Sequence, residues 1–159
     1  MSTRARYQHI APDAFKALIA LEQTLAKPAV GQTIVDLVKI RASQLNGCLF
    51  CLDMHSKEAR IRGERELRLY HLPLWRESAL FTDREKAALA WAEQLTRTDG
   101  HGVGDSAYDA LATYFTEKEI VDLTFAVTSI NAWNRLGIAF QPTPGSADKI
   151  YGLDKIDLH

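Results

Sequence analysis

The amino-acid sequence predicts an all-α protein, and three observations support that prediction. Apolar residues recur at three- and four-residue spacing in the segments between turn signals, as they do along the buried face of a helix. Thr82-Asp-Arg-Glu85 and Thr116-Glu-Lys-Glu119 carry the threonine and glutamate of a capping box, which marks a helix N-terminus. No segment of useful length alternates apolar and polar residues as a half-buried β-strand does.

Proline and glycine residues set the expected helix boundaries. Pro12 opens the first helix and Pro28 stops it, because proline is favoured in a first turn and cannot continue a helix. Asn46-Gly47 is a strong C-terminal signal, since glycine readily takes the left-handed conformation that ends many helices. We therefore expect helices at residues 12–27, 32–46, 48–63, 64–69, 83–95, 106–115 and 117–139.

The chain is expected to form one domain. Its 159 residues are enough for a single hydrophobic core. We take residues 1–159 as one unit, with a helical core at about residues 12–140. The segment from Gln141 contains Pro142, Pro144 and Gly145, and we expect it to be an extended, loosely held tail.

Composition argues against several classes of partner. A net charge of -1 gives no electrostatic basis for binding nucleic acid or an anionic membrane surface. The best candidate for a membrane span has only twelve uncharged residues, between Asp122 and Arg135, which is too short for a bilayer. The N-terminal residues carry charge but no apolar signal segment, so we expect a cytoplasmic protein whose thiols are mostly reduced.

Basic residues cluster between Lys57 and Arg68, but glutamates are interleaved with them. Mixed charge of this kind is more typical of a solvated helix face than of a patch that steers anions. We therefore expect a charged, water-exposed surface in this region.

The two cysteines of the chain, Cys48 and Cys51, form a C-x-x-C motif, and His55 follows four residues after the second. If a helix begins near Cys48, a rotation of about 100° per residue brings all three side chains to one face. Cys51 and His55 are an i,i+4 pair, the separation at which helical side chains meet. The pattern predicts two thiols, a proton carrier and a helix N-terminus in one place.

This combination suits redox chemistry. A cysteine near a helix N-terminus or a protonated histidine forms the reactive thiolate more readily. A second thiol can resolve a sulfenic acid or a mixed disulfide into an internal disulfide, and no cofactor is required. His55 can carry the proton, and an acid on the neighbouring helix can orient its imidazole. Asp36 is the candidate for that acid, because Asp53 points away from the face that holds the cysteines and the histidine.

Two other interpretations of the cysteines stay open. Cys48, Cys51 and His55 supply three zinc ligands, although no second Cys/His pair stands elsewhere to complete a tetrahedral site. Alternatively, the thiols are inert core residues packed among their apolar neighbours. A haem attachment site is excluded, because Leu52 stands where the haem-binding histidine would follow the second cysteine.

The residues around the cysteines resemble those of a known superfamily. The AhpD-like, carboxymuconolactone decarboxylase superfamily has a core motif similar to Ser43-Gln-Leu-Asn-Gly-Cys48-Leu-Phe-Cys51-Leu-Asp-Met-His55. Further similarity lies in Trp75-Arg-Glu, Arg84-Glu-Lys-Ala-Ala-Leu-Ala-Trp91 and Asn131-Ala-Trp-Asn-Arg135, so that the resemblance covers roughly residues 12 to 140. It implies an all-helical subunit that assembles into homo-oligomers, commonly trimers or hexamers.

For the AhpD branch, the resemblance implies an antioxidant peroxidase that reduces organic hydroperoxides through the cysteine pair, with a lipoylated protein returning the electrons. The decarboxylase branch lacks the pair, so its chemistry is the less expected inheritance. The family's cysteines fall on Cys48 and Cys51, its histidine on His55 and its proton-relay glutamate on Asp36. The resemblance favours Cys51 as the attacking thiol and Cys48 as the resolving one; greater exposure of Cys48 at the helix start would favour the reverse.

Asp36 departs from the family pattern, because aspartate is one methylene shorter than glutamate. A shorter carboxylate can lose a direct hydrogen bond to its partner, although one water molecule can span the gap. The replacement of glutamate by aspartate is expected to affect peroxidase turnover more than redox activity. The alternatives to a peroxidase are a dithiol–disulfide oxidoreductase without peroxidase activity and an oligomer that senses oxidants.

Overall fold

The computed structural model describes residues 3–155, and that part of the chain consists of helices and turns with no β-strand. The α-helices, numbered in chain order, are α1 (Tyr7–Ile10), α2 (Pro12–Thr24), α3 (Gln32–Asn46), α4 (Leu49–Ile61), α5 (Glu66–His71), α6 (Asp83–Thr96), α7 (Asp105–Ala112), α8 (Glu117–Phe140) and α9 (Asp148–Tyr151). A 3₁₀ turn at Leu72–Leu74 follows α5. The all-α prediction is confirmed, and α1 and α9 are short additions to the expected helices.

Helix α3 lies at the centre of the domain. It packs against α4, α6 and α8, and side chains around most of its circumference are buried. Leu37, Val38 and Ile40 are almost inaccessible to solvent. Full burial of an aliphatic side chain of this size stabilises the fold by about 1.5–3 kcal/mol. The packing of α3 therefore supplies a substantial part of the hydrophobic stabilisation.

Helices α6 and α8 begin at the two predicted capping boxes. The Thr82 hydroxyl oxygen accepts a hydrogen bond from the Glu85 N–H, and the Glu85 carboxylate accepts one from the Thr82 N–H. Thr116 and Glu119 make the same reciprocal pair. From this cap α8 runs for 24 residues and packs against α3, α4 and α6. Within residues 3–155 not even α8 combines the length and apolarity that a membrane crossing requires.

A buried carboxylate ties α6 to α3 and to the segment after α5. Glu93 Oε1 accepts hydrogen bonds from Arg41 Nε at 2.6 Å and Trp75 Nε1 at 2.9 Å, and Arg76 Nη1 lies 2.7 Å from Glu93 Oε2. Burial raises the pKa of the Glu93 carboxyl, but the hydrogen bonds from Trp75, Arg41 and Arg76 outweigh it and hold the pKa below its ordinary value of 4.5. The fold therefore stabilises the ionised form of this residue.

The segment after α8 differs from the extended, loosely held tail that we expected. The Gly145 N–H donates to Asp53 Oδ2 at 3.0 Å, and Asp148 forms a 2.7 Å ion pair with Lys57. Leu153 is buried. The tail is held because α4 offers a carboxylate to its backbone and an ammonium group to its acidic side chain.

The basic stretch from Lys57 to Arg68 matches the expected solvated face at Arg60, Arg62 and Arg65, which are exposed, and differs from it at its two ends. Lys57 and Arg68 are buried, and each is paired with two carboxylates. Glu64 and Glu85 bind Arg68, so that this arginine links α6 to the turn after α4. Buried charges require such partners, and some of those partners lie far away in the sequence.

Replacing Glu93 by glutamine is expected to lower the free energy of unfolding by roughly 3–5 kcal/mol near neutral pH, because Arg41 would keep a buried charge without its counter-ion. The difference from the wild-type protein should shrink as the pH falls below 4.5. A carboxyl whose pKa is lowered by folding stabilises the native state above its unfolded pKa, and this contribution is lost as it becomes protonated. Urea unfolding at several pH values measures both effects.

Asp13→Asn is the control for this experiment, because Asp13 and Lys16 form an exposed pair 4.0 Å apart. We expect its effect to stay within about 1 kcal/mol. Equal losses in the two variants, or a Glu93→Gln loss that does not change with pH, would contradict the stabilising role of the buried carboxylate.

Candidate functional site

The two cysteines lie at a sharp reversal between α3 and α4. Gly47 ends α3 in the left-handed conformation, with φ of 71° and ψ of 30°, which glycine adopts without a Cβ clash. Cys48 is the N-cap residue of α4, and its Sγ accepts a hydrogen bond from the Cys51 N–H at 3.3 Å. The sulfur thus takes the place of the side-chain oxygen in an ordinary N-cap. The predicted helix start is confirmed.

Cys48 and Cys51 are joined by a disulfide bond, and their Cα atoms are 5.4 Å apart. Each residue is 2% exposed, and both belong to a small core cluster with Ala42 and Ile130. The partly buried Trp133 packs against this cluster. The fold therefore holds the oxidised form of the pair in an apolar environment.

Helix α8 passes close to the disulfide at Gly137. A Cβ atom at this position would lie 2.5 Å from Cys48 Sγ and 3.3 Å from Cys51 Sγ. The first distance is far below van der Waals contact, so a side chain at Gly137 would displace the sulfur or the helix. The missing side chain makes room for both sulfurs.

Buried amide groups hold the end of α3, directly before the cysteines, against α8. Asn46 Nδ2 donates to the Oδ1 atoms of Asn131 and Asn134, each at 2.9 Å. Asn134 Nδ2 in turn donates to Ser43 Oγ at 3.1 Å. An unmade hydrogen bond at such a buried position costs about 1–3 kcal/mol. The network therefore positions Cys48 relative to α8.

His55, one helical turn after Cys51, is paired with Glu58. Its Nδ1 lies 2.8 Å from Glu58 Oε2, and the imidazole is buried. Burial raises the pKa of the Glu58 carboxyl, but the hydrogen bond with His55 and the charges of His55 and Arg62 outweigh it and keep the pKa below its ordinary value. An ionised Glu58 can accept a hydrogen bond from Nδ1–H, which leaves Nε2 of a neutral imidazole as the base.

Asp36 does not make the hydrogen bond with His55 that we expected. Its Oδ1 accepts hydrogen bonds from Gln32 Nε2 at 2.8 Å and Arg62 Nη1 at 2.7 Å. The same Arg62 atom lies 3.9 Å from Glu58 Oε2. Asp36 is connected to the imidazole only through a chain of charges, because Arg62 and Glu58 stand between them. We refer to His55, Glu58, Arg62 and Asp36 as the charge chain.

Sequence reasoning missed Glu58, Arg62 and Gly137. The signal for the first two was present, because Glu58 stands three residues after His55 and Arg62 four residues after Glu58, the spacings at which helical side chains meet. Gly137 carries no local signal, because its importance comes from a contact between segments that lie far apart in the sequence.

Two cavities border the site. An apolar cleft of about 390 Å³ reaches Cys48 and is lined by residues of α4, of α8 and of the segment at 141–144. A second cavity, of about 400 Å³, is lined largely by polar residues, including Asp36 and Arg62. The disulfide and the charge chain thus each border an opening to solvent, and the two openings differ in polarity.

The arrangement is suited to two-electron thiol chemistry. The disulfide can accept two electrons and two protons, the helix N-terminus stabilises negative charge on sulfur, and His55 and Glu58 can accept and donate protons. Within residues 3–155, no group of three or more His, Cys, Asp or Glu side chains is placed to hold a metal ion.

Gly137→Ala is expected to destabilise the oxidised protein by about 1–3 kcal/mol, because the added methyl group overpacks the two sulfurs. This loss of stability is expected even though alanine is more favourable than glycine in a helix by about 1 kcal/mol. Chemical unfolding of the oxidised protein measures the change. The control is Ala139→Gly at an exposed position on the same helix, which should cost only the difference in helix propensity. A Gly137→Ala variant more stable than the wild-type protein would contradict the close contact.

Three comparisons with known proteins agree with this structure. A family model described as "Carboxymuconolactone decarboxylase family" matches residues 12–94. The uncharacterised protein YdfG of Bacillus subtilis (strain 168) is 40% identical over 139 residues, which cover 87% of this chain and 95% of YdfG.

Two solved structures share the fold. A protein of unknown function from Agrobacterium tumefaciens, described as a candidate antioxidant defence protein AhpD, has a TM-score of 0.86 and 38% identity, over 90% of this chain and 98% of that one. An uncharacterised peroxidase-related protein from Ralstonia eutropha JMP134, described as an alkylhydroperoxidase AhpD core, has a TM-score of 0.78 and 21% identity. That match covers 87% of this chain and 74% of the other, and at this identity it shows the fold alone.

The family match spans just over half of the 159 residues and includes Cys48, Cys51 and His55. The Bacillus subtilis relative and the Agrobacterium tumefaciens structure extend the similarity over nearly the whole chain. The resemblance seen in the sequence is therefore confirmed, and this chain belongs to the carboxymuconolactone decarboxylase family.

Proposed function

We propose that this protein is a thiol-dependent alkylhydroperoxide reductase, which reduces organic hydroperoxides to alcohols by cycling Cys48 and Cys51 between dithiol and disulfide. The observation that carries the proposal is the disulfide itself, set at the N-terminus of α4 one turn before His55 and the Glu58 carboxylate. The family match and the antioxidant description of the Agrobacterium tumefaciens protein support it.

In the proposed cycle, one cysteine thiolate attacks the terminal oxygen of the hydroperoxide. The O–O bond breaks, the sulfur becomes a sulfenic acid, and the alkoxide leaves as an alcohol after taking a proton. The second thiolate attacks the sulfenic sulfur, and a water molecule leaves as the disulfide forms. The two thiols thus supply the two electrons that the peroxide accepts.

The surrounding residues have distinct roles in this cycle. The Cys51 N–H points at Cys48 Sγ and stabilises negative charge there, as helix N-termini do. His55 takes the proton of Cys51, one turn before it, and Glu58 orients the imidazole and stabilises its protonated form. Arg62 and Asp36 continue the charge chain to the polar cavity, and Arg62, which keeps its own proton, favours the ionised form of Glu58.

The proposal includes the partners that the family resemblance implies. A lipoylated protein or another thiol reductant returns the electrons, and the thiol cycle requires no further cofactor. The subunits assemble as a homo-oligomer, a trimer or a hexamer, in the cytoplasm. Exposed apolar side chains on α8, among them Val121 and Phe125, support self-association, since such groups on a helix face gain from being covered.

The second candidate function is a dithiol–disulfide oxidoreductase without peroxidase activity, or an oxidant-sensing oligomer. The burial of both sulfurs favours it, because restricted access suits slow oxidation more than rapid turnover. Turnover separates the two candidates: a peroxidase cycles when a reductant is supplied, whereas a sensor is oxidised once and changes its oligomer size.

Stopped-flow oxidation of the reduced protein by cumene hydroperoxide tests the proposal. We expect a loss of two hydrogens by intact mass, at a rate at least about 100 times that of a free thiol at the same pH, since positioned acid–base groups contribute that much. Repeated turnover with dihydrolipoamide is the second expected result. The Cys48→Ser/Cys51→Ser double variant is the control and should show neither. Oxidation no faster than that of a free thiol would overturn the peroxidase assignment.

His55→Ala is expected to slow disulfide formation by about 100-fold near neutral pH, because Cys51 would lose its proton acceptor. Glu58→Gln should slow it less and shift the inflection of the pH–rate profile to lower pH, because the imidazolium would lose its counter-charge. Stopped-flow rates of the reduced variants between pH 5 and 9, a range about the ordinary histidine pKa, measure both effects.

Asp36→Asn is the matched comparison, because Asp36 touches the charge chain only through Arg62. Its pH–rate profile should shift less than that of Glu58→Gln. An unchanged profile in His55→Ala would remove the histidine from the mechanism, and a larger shift in Asp36→Asn than in Glu58→Gln would contradict the order of the charge chain.

A further inference from the structure

The apolar cleft reaches one end of the disulfide and not the other. All three of Cys48, Cys51 and His55 are buried, but only Cys48 forms part of the cleft wall. Gly47 and Gly137 lie in the same wall, and any Cβ at Gly137 would lie 2.5 Å from Cys48 Sγ. The space that a side chain at Gly137 would occupy is filled by the Cys48 sulfur, which therefore lies directly behind this part of the cleft wall.

The chemistry of the cleft suits a neutral, apolar molecule. Leu49, Phe50 and Ile138 line it together with Pro142 and Pro144, and none of the described residues in its wall carries a charge. Its volume of about 390 Å³ is in the range of small-molecule sites. A hydrocarbon group gains free energy in such a place, whereas a charged or strongly hydrated group would lose its water without gaining a partner.

The cleft is formed before any ligand arrives, because its outer wall is fixed to the helix that follows the cysteines. The segment at 141–144 supplies that wall, and directly after it the Gly145 N–H donates to Asp53. Asp148 pairs with Lys57 one turn further along α4. The wall and the Cys48 sulfur are thus held by the same helix.

We propose that the cleft binds the apolar substituent of an organic hydroperoxide and brings its terminal oxygen to Cys48, so that Cys48 is the first thiol to be oxidised. This inference rests on the proposed peroxidase function. It reverses the order of reaction of the two cysteines that the family resemblance favours. The Cys48 thiolate displaces the alkoxide from the terminal oxygen and becomes a sulfenic acid, and the alkoxide leaves as an alcohol after protonation. Cys51, deprotonated by His55, then attacks Cys48 Sγ, and water leaves as the disulfide forms.

Single cysteine variants test which thiol reacts. Cys51→Ser leaves Cys48 alone, and cumene hydroperoxide should convert it to a sulfenic acid that dimedone traps and mass spectrometry detects. Cys48→Ser should be labelled at Cys51 at least about tenfold more slowly, because its thiol does not line the cleft. Faster labelling of Cys51 than of Cys48 would overturn the inference while leaving the peroxidase proposal intact.

A cleft variant with a matched control tests the substrate class. Ile138 and Ile61 are isoleucines that are 43% and 47% exposed, but only Ile138 lines the cleft. Ile138→Gln should lower the ratio of the rates with cumene hydroperoxide and hydrogen peroxide by about tenfold, since an apolar contact contributes that much discrimination. Ile61→Gln should leave the ratio at its wild-type value. Leu49→Gln, at a wall residue contributed by α4, is a second variant expected to act like Ile138→Gln.

The outcomes separate the inference from the function on which it rests. An unchanged rate ratio in both cleft variants would overturn the inference and leave the peroxidase intact. If Ile138→Gln alters the elution volume in size-exclusion chromatography and slows both peroxides equally, a second copy of the chain covers the cleft and the inference is also overturned. Reaction of the wild-type protein with both peroxides at the rate of a free thiol would remove the proposed function and the inference together.

Discussion

The reversal of the chain at Gly47 and Cys48 is the constraint on which the candidate site depends. One residue in the left-handed conformation ends α3, and the next residue caps α4, so that two central helices meet where the sulfurs lie. Asn46 holds this junction to α8, and Gly137 allows α8 to come close. A residue with a Cβ at position 47 would be strained in this left-handed conformation. The position of the N-cap sulfur and of the disulfide depends on the direction in which α4 leaves the junction.

Buried charge organises much of the remaining structure. Glu93 connects three separate segments, and Arg68 and Lys57 each lie between two carboxylates. Apolar contacts stabilise a core without requiring a particular direction between the two groups, whereas a buried ion pair is favourable only when both partners are correctly placed. The charge chain from His55 to Asp36 follows the same rule, and it joins an apolar cluster around sulfur to a polar opening.

The features that could be predicted from the sequence are those that depend on residues close together in the chain. Thr82, Thr116 and Gly47 act within a few residues, so helices α2 to α8 and the start of α4 were predicted, whereas the short α1 and α9 were not. Cys48, Cys51 and His55 lie within two turns of one another. The tail and Gly137 could not be predicted, because their contacts join distant segments. Asp36 lies on α3 beside α4, as expected, but Arg62 and Glu58 separate it from the imidazole of His55. This separation depends on how the two helices pack, so it could not be seen in the sequence.

The cleft wall combines residues of the cysteine motif, from Gly47 to Phe50, with residues from a different part of the chain. The wall at residues 141–144 follows α8, whereas the motif ends at His55. Substitutions in the wall can change which molecules reach Cys48 without altering the N-cap, the disulfide or the charge chain. The proposed selectivity and the reactivity are therefore encoded only partly in the same stretch of sequence, so natural variation at residues 141–144 can retune the proposed selectivity while the motif is preserved.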